Sequence, residues 1–159
     1  MIDGFNFYLP AFVYNLGIYL QLSLFQKKVV PLDLSLRIKE KRLIGDSRGF
    51  VSFPFAILIG FLIGSIQGRI IESLYLSVGA QFGTVINSSI KRRFNLNKKE
   101  FMPLDHVDFI LGASLMYISN FILPFEIFIG GILVGFVIHL GINKIVRTIW
   151  EGFIYKRFS

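Results

Sequence analysis

Two carboxylates and a cluster of cations lie on either side of a short polar segment in the second half of the chain. Asp105 and Asp108 are three residues apart, and Lys91, Arg92 and Arg93 precede them. Carboxylates at this spacing face the same way at a helical turn and can share a hard divalent cation, while Lys and Arg can hold phosphate oxygens. The pattern predicts phosphate chemistry assisted by a metal ion.

A structural role is the plainer interpretation of the two carboxylates. Asp105 could N-cap the following helix, and Asp108 would then lie at its third position, where the helix dipole favours a negative charge. The preceding cations, Pro103 and a polar helix face upstream favour the metal site, because such sites need convergent carboxylates beside a cavity.

The elements that must position these residues are apolar helices. Hydrophobic residues make up 53% of the 159 residues and 18 are Phe, which is more apolar surface than an ordinary soluble domain needs. A transmembrane helix requires about 20 mainly apolar residues. The sequence therefore predicts an all-α integral membrane protein, one domain over 1–159, in which two cytoplasmic loops form a polar site. The five predicted transmembrane helices cover about 5–25, 50–67, 70–90, 108–123 and 125–146.

Lys and Arg are distributed on one side of these runs. They fall in the loops at about 26–49 and 91–107 and near or within the tail at 147–159, and only Arg69 lies in an alternate loop. Because cytoplasmic loops collect positive charge, we predict a multi-pass protein of the cell membrane with its N-terminus outside and its C-terminus inside. The cations flank membrane spans and no nucleic-acid-binding motif is present, so we predict no nucleic-acid partner.

The third apolar run carries a polar stripe, defined as the side chains that recur on one face of the predicted helix. We expect this face to line a polar cavity that opens to the cytoplasm, with hydrogen bonding between helices as the alternative. Glycines at four-residue spacing are predicted to permit close helix packing. The stripe consists of Ser73, Ser77, Gln81, Thr84 and Ser88, and the glycines are Gly60, Gly64 and Gly68, Gly79 and Gly83, and Gly131 and Gly135.

The charged segment resembles the CDP-archaeol synthase family, which is related to the CDP-diacylglycerol synthases. The resemblance rests on Ser88-Ser89-Ile90-Lys91-Arg92-Arg93, on Pro103-Leu104-Asp105-His106-Val107-Asp108-Phe109, and on Gly112-Ala113. It extends in order to Pro10-Ala11, Asn15, Pro31, Asp33, Arg42-Leu43-Ile44-Gly45-Asp46, His139 and Asn143. It therefore covers most of the chain.

The resemblance implies an enzyme that transfers CMP from CTP to an isoprenoid ether lipid phosphate, 2,3-bis-O-geranylgeranylglycerol 1-phosphate, and releases pyrophosphate. Mg²⁺ is the implied cofactor, and membrane lipids are further partners. The implied site has Asp105, Asp108 and Lys91 as catalytic residues, of which the two carboxylates hold the metal ion. Nucleotide or phosphate binding is implied for Arg92, Arg93, Ser88, Asp46 and Arg48, and a secondary role for Thr84, Asn87, His139 and Asn143.

The chain departs from the family pattern at informative positions. Thr84 stands where the family usually has Asp, so one metal-ligating carboxylate is missing. Asn87 and Gln81, about one turn away on either side, could offer amide oxygens, but neither restores the negative charge. His106 replaces a usual Gln, and the first loop keeps Arg48 but lacks the second basic residue of the pattern. The alternatives are a catalytically weakened paralogue, or a small membrane transporter or lipid-binding protein. The sequence does not indicate the oligomeric state.

Overall fold

Helices form nearly all of the described chain. The computed structural model describes residues 2–24, 37–38, 41–42, 52–94, 103–138 and 140–141. The elements are α1 (Ile2–Phe7), α2 (Leu9–Leu24), β1 (Arg37–Ile38), β2 (Lys41–Arg42), α3 (Ser52–Gln67), α4 (Ile70–Arg93), a 3₁₀ helix (Pro103–His106), α5 (Asp108–Ile118) and α6 (125–138). The all-α prediction is confirmed here, apart from the two short strands, which pair antiparallel and of which β2 lies against α4.

Each predicted apolar run contains a helix, but two of the runs differ in detail. The first run is divided at Tyr8 into α1 and α2, and the fourth helix ends at Ile118 instead of 123. Pro124 disfavours a helical conformation at Leu123, so it explains why the helix does not continue into α6 but not why it already ends at Ile118. Within the described ranges, none of the helices is both long enough and apolar enough to span a membrane. The number of spans stays a prediction.

The turn at Tyr8 follows from Pro10. Proline has no N–H, so the carbonyl of Asn6 loses the donor that a continuous helix would supply. Two side chains from the α3–α4 turn donate to this carbonyl instead: Nε2 of Gln67 at 2.7 Å and Nη2 of Arg69 at 3.1 Å. Pro10, near the start of α2, therefore leaves free the acceptor that ties α1 to the α3–α4 turn.

Arg69 connects three parts of this end of the bundle. Its Nη2 also donates to the carbonyl of Phe7 at 2.8 Å, and its guanidinium lies over the Phe7 ring, 4.9 Å from the centroid. Its Nη1 lies 3.5 Å from Glu72, which accepts a hydrogen bond from Tyr117 of α5 at 3.2 Å. The arginine that is isolated in the sequence is thus a structural residue that joins α1, α4 and α5.

We expect Arg69→Ala to lower the free energy of unfolding by about 1–3 kcal/mol, because carbonyls at the end of α1 lose their donors. Thermal unfolding in detergent measures the effect. Arg93→Ala is the control, since Arg93 is exposed at the far end of α4. Equal melting temperatures for the two variants would contradict the structural role of Arg69.

Glycines bring α4 and α5 into backbone contact. An ideal Cβ on Gly112 would lie 2.5 Å from the N and Cα atoms of Gly83, and one on Gly79 would lie 2.8 Å from the Cα of Ala113. No side chain fits between these helices, so the packing prediction for Gly79 and Gly83 is confirmed. Gly68 is different: it has φ +70° in the α3–α4 turn, where its backbone conformation and not a helix contact requires glycine.

The polar stripe of α4 is buried among helices. Ser77 and Thr84 donate to carbonyls three residues earlier, at 3.2 and 2.9 Å, and Ser88 donates to the carbonyl of Thr84 at 2.7 Å. Gln81 donates to Ser52 of α3 at 2.8 Å. In the described part of the chain, the bond of Gln81 and that of Ser73 to Gln67 at 3.5 Å match the predicted hydrogen bonding between helices. The other three hydroxyls bond within α4, which neither prediction anticipated.

Candidate functional site

The two predicted carboxylates lie where the C-terminal third of α4 meets the start of α5. An ideal Cβ on Gly83 would collide with the backbone oxygen of Asp108 and lie 2.9 Å from the Cα of Gly112. The first turn of α5 therefore rests directly on the α4 backbone at Gly83. Asn87 follows one turn later on α4, and the same contact places its side chain beside Asp108.

Asn87 is hydrogen-bonded to both carboxylates. Its Nδ2 donates to Oδ1 of Asp105 at 2.8 Å and to Oδ2 of Asp108 at 2.8 Å. Lys91, one further turn along α4, forms an ion pair with Oδ2 of Asp105. The backbone N–H of Phe109 donates to Oδ1 of Asp108 at 2.7 Å. One amide and one ammonium group from α4 thus converge on two carboxylates that the sequence placed together.

The capping interpretation of these carboxylates is wrong in its detail. Asp105 belongs to the 3₁₀ helix, Val107 is the N-cap of α5, and no side chain caps the helix there. Asp108 is the first residue of α5 instead of the third. Because the 3₁₀ turn ends before α5 begins, Asp105 faces Lys91 and Asn87 and not the first amides of α5. The convergence of the carboxylates is therefore not explained by capping.

The other site residues predicted on α4 differ from one another in their surroundings. Thr84 is 2% exposed, and its hydroxyl donates to the carbonyl of Gln81. Ser88 is partly buried and bonded within the helix, as described above. Arg93 is exposed at the end of α4, and the Arg92 side chain lies outside what the structure describes. Asp46, Arg48, His139 and Asn143 also lie outside the described residues.

Two residues matter more in the structure than the sequence suggested. Asn87, predicted as secondary, lies between the carboxylates. The sequence signal is its spacing of four from Lys91, which puts both on one helix face. His106, noted only as a departure, is 5% exposed, and its ring meets the Phe136 ring of α6 edge-on at 5.3 Å. It therefore packs the 3₁₀ turn against α6.

An apolar groove opens beside this site. Asn87 and Asp108 line one end of a cavity of about 180 Å³ between α4 and α5. Leu111 and Leu115 line it as well, and they also line a second cavity, of about 370 Å³, that continues toward α6. We call the two together the α5 groove. Its far end is lined by Ser114, Ile118, Leu123, Phe125 and Phe128.

The fold and this cluster define a class of protein: a small helical bundle with a carboxylate, amide and ammonium site at one end and an apolar groove leading from it. The family model described as CarS-like, CDP-archaeol synthase, matches residues 1–150. The chain belongs to the CDP-archaeol synthase family.

Individual relatives agree with the family assignment. The CDP-archaeol synthase of Sulfurisphaera tokodaii is 30% identical over 154 residues, covering 91% of this chain and 90% of the relative. That of Sulfolobus acidocaldarius is 32% identical over 127 residues, covering 75% of each chain. The Methanocaldococcus jannaschii enzyme is 31% identical over 146 residues, with 76% of this chain and 82% of the relative covered.

A solved structure has the same fold. It is that of an intramembrane enzyme for the biosynthesis of archaeal membrane lipids, with a TM-score of 0.72 and 22% sequence identity. The match covers 90% of this chain and 94% of the other. The likeness supports the helical architecture described above.

Proposed function

We propose that this chain is a CTP-dependent cytidylyltransferase that makes CDP-archaeol from 2,3-bis-O-geranylgeranylglycerol 1-phosphate. The observation that carries the proposal is the convergence of Lys91 and Asn87 on Asp105 and Asp108, in a chain of the CDP-archaeol synthase family. In the reaction a lipid phosphate oxygen bonds to the α-phosphorus of CTP. The bond from that phosphorus to the bridging oxygen of the β-phosphate breaks, and pyrophosphate leaves.

The site suits this reaction because it supplies charge and alignment and no strong base. The lipid phosphate is already an anionic nucleophile, so catalysis can rest on orientation and on neutralising phosphate charge. Lys91 is partly buried at the site, where it can exchange its contact with Asp105 for a phosphate oxygen. Arg92 and Arg93 follow it, and we assign them to the same polyphosphate.

Asp105 and Asp108 fit a Mg²⁺ ion. Their oxygens converge on one amide, which is the arrangement that a hard cation needs. Among the described residues, no group of three His, Cys, Asp or Glu side chains could hold a metal ion. Two carboxylates suffice for Mg²⁺ when substrate phosphates supply further oxygens. When bound, the ion would neutralise charge on the phosphates of CTP.

We place the chain in the cell membrane, with the site on the cytoplasmic side and the N-terminus outside. The helices expose large apolar side chains, as expected for contact with lipid; examples are Ile57, Phe61 and Ile66 of α3 and Ile122 before α6. The predicted site residues lie at the end of α4 opposite Arg69. This separation agrees with the one-sided distribution of Lys and Arg in the sequence.

The first loop is proposed to cover the cytoplasmic mouth of the site. The position of β2 against α4 supports this arrangement, because it brings part of the loop to the helix that carries Asn87 and Lys91. Asp46 and Arg48 follow β2 in the sequence, and we assign them to the nucleotide. His139 and Asn143 keep their proposed secondary role.

The test of the function is incorporation of radiolabelled CTP into a lipid-extractable product. Purified protein is incubated with Mg²⁺ and the geranylgeranyl ether phosphate, and the Sulfolobus acidocaldarius relative is assayed beside it. We expect CTP-dependent product and matching release of pyrophosphate. Folded protein that makes no product where the relative is active would favour the weakened paralogue, the alternative that the hydroxyl of Thr84 at a carboxylate position supports.

We further propose that an isoprenoid chain of the lipid substrate lies in the α5 groove. The groove begins at Asp108, so a lipid whose phosphate lies at the carboxylate site could extend its chain past Leu111 and Leu115 toward Phe125 and Phe128. Its lining is almost entirely apolar, which matches a hydrocarbon chain.

Leu115→Trp should therefore raise KM for the lipid phosphate about tenfold and leave KM for CTP unchanged, because the larger side chain fills the groove. Steady-state kinetics in detergent micelles with each substrate varied separates the two constants. Leu133→Trp on α6 is the control, because Leu133 is similarly exposed and outside the lining of both cavities. Equal lipid KM values for the two variants would contradict this position of the chain.

A further inference from the structure

The Asn87 side chain holds an unsatisfied oxygen at the centre of the candidate site. Asn87 is 6% exposed, and its Nδ2 donates to both Asp105 and Asp108. Its Oδ1 is buried and has no hydrogen-bond partner among the described residues. A buried acceptor without a partner costs about 1–3 kcal/mol, so such an atom in a polar cluster calls for a physical reason.

Rotation of the amide supplies that reason. The terminal torsion of Asn is broad and roughly two-fold, so a half turn exchanges Nδ2 and Oδ1 at low cost. Without a cation the observed orientation is favoured, because an NH₂ group between two carboxylates attracts both of them. With a divalent cation between the carboxylates the preference reverses, because the NH₂ group repels the ion and the carbonyl oxygen is a good ligand for it.

We propose that Asn87 is a third protein ligand of the divalent cation in the Asp105 and Asp108 site, and that its amide turns from donor to ligand as the cation binds. The inference rests on the proposed function, which assigns the cation to the two carboxylates. The amide oxygen of Asn87 would then take the place of the family carboxylate that Thr84 replaces. The Thr84 hydroxyl donates to its own helix, whereas Asn87, one turn further along α4, reaches both carboxylates.

Mn²⁺ binding to the purified protein in detergent, followed by electron paramagnetic resonance without nucleotide, tests the proposal. Asn87→Leu removes the oxygen at similar volume and should weaken Mn²⁺ binding about tenfold or more, because the ion loses one of its three protein ligands. Asn87→Asp adds a negative ligand and should tighten binding about tenfold. Ser89→Ala is the matched control on the same helix, because Ser89 donates to the Val85 carbonyl of its own helix at 3.0 Å and is not assigned to the site; it should leave binding unchanged.

A spectroscopic readout separates a ligand from a residue that only positions the carboxylates. Protein labelled with ¹³C at the asparagine side-chain carbonyl should show a strong ¹³C hyperfine coupling to bound Mn²⁺, and Asn87→Asp should lose it. Weak coupling only, or an unchanged Mn²⁺ affinity in Asn87→Leu, would overturn the role of Asn87 while the carboxylate site stands. Unchanged Mn²⁺ affinity in Asp108→Asn as well would reject the carboxylate site itself.

Discussion

Asp108→Asn is expected to lower kcat/KM for CMP transfer about 10²- to 10³-fold, because the proposed site loses a charge that would help to stabilise the transition state. Oδ1 and Oδ2 of Asp108 accept from the Phe109 backbone and from Asn87. An asparagine has the same shape but presents an NH₂ group to one of these donors. The fold should survive, so the loss should appear in activity and in Mn²⁺ binding and not in thermal unfolding.

The assay is the radiolabelled CTP incorporation described above, with both substrates varied. Asp3→Asn is the control for removal of a carboxylate, because Asp3 is exposed on α1 at the other end of the bundle. Activity of Asp108→Asn within a few-fold of the unmodified protein would mean that the chemistry does not use this carboxylate.

Gly112→Ala should damage both the fold and the site. Its Cβ would lie within 2.5 Å of the Gly83 backbone, so α4 and α5 must move apart. Overpacking of this kind costs about 1–3 kcal/mol, and contact with the α4 backbone leaves little room for adjustment by a rotamer. Because the Gly83 contact also places Asp108 beside Asn87, we expect a lower melting temperature together with loss of Mn²⁺ binding and of activity.

Gly141→Ala is the matched control for this change. No atom of the described chain lies within 4 Å of an ideal Cβ on Gly141. Thermal unfolding, Mn²⁺ binding and CMP transfer are measured on both variants. A Gly112→Ala protein that matches Gly141→Ala in all three would show that the contact between α4 and α5 does not set the site.

The sequence was sufficient to predict the helices and the pair of carboxylates. Apolar runs mark helices regardless of their neighbours, and a spacing of three places Asp105 and Asp108 close together whether the local turn is α or 3₁₀. Lys91 could be assigned to the same region because its segment and theirs flank one loop. These predictions depend on local geometry, which the sequence carries directly.

The central position of Asn87 could not be predicted, because it depends on the register between two helices. That register is fixed by the contact of Gly83 with Gly112, and the four-residue spacing of glycines indicates close packing without naming the partner. Gly68 shows the same limit. It continues the spacing of Gly60 and Gly64, yet it lies in a turn after α3. A pattern of small residues does not reveal where the helix stops.

The hydrogen bonds that hydroxyls of α4 make to their own helix have a consequence for the order of folding. A polar group in hydrocarbon needs a partner, and Ser77, Thr84 and Ser88 find theirs within the helix itself. These three hydroxyls are therefore satisfied as soon as α4 forms, before any neighbour has arrived. Two amides differ: Gln81 bonds to α3, and Asn87 bonds to one carboxylate in the 3₁₀ helix and one at the start of α5. An α4 that formed before its neighbours would thus have two amides whose partners arrive only when α3 and α5 have docked in the correct register.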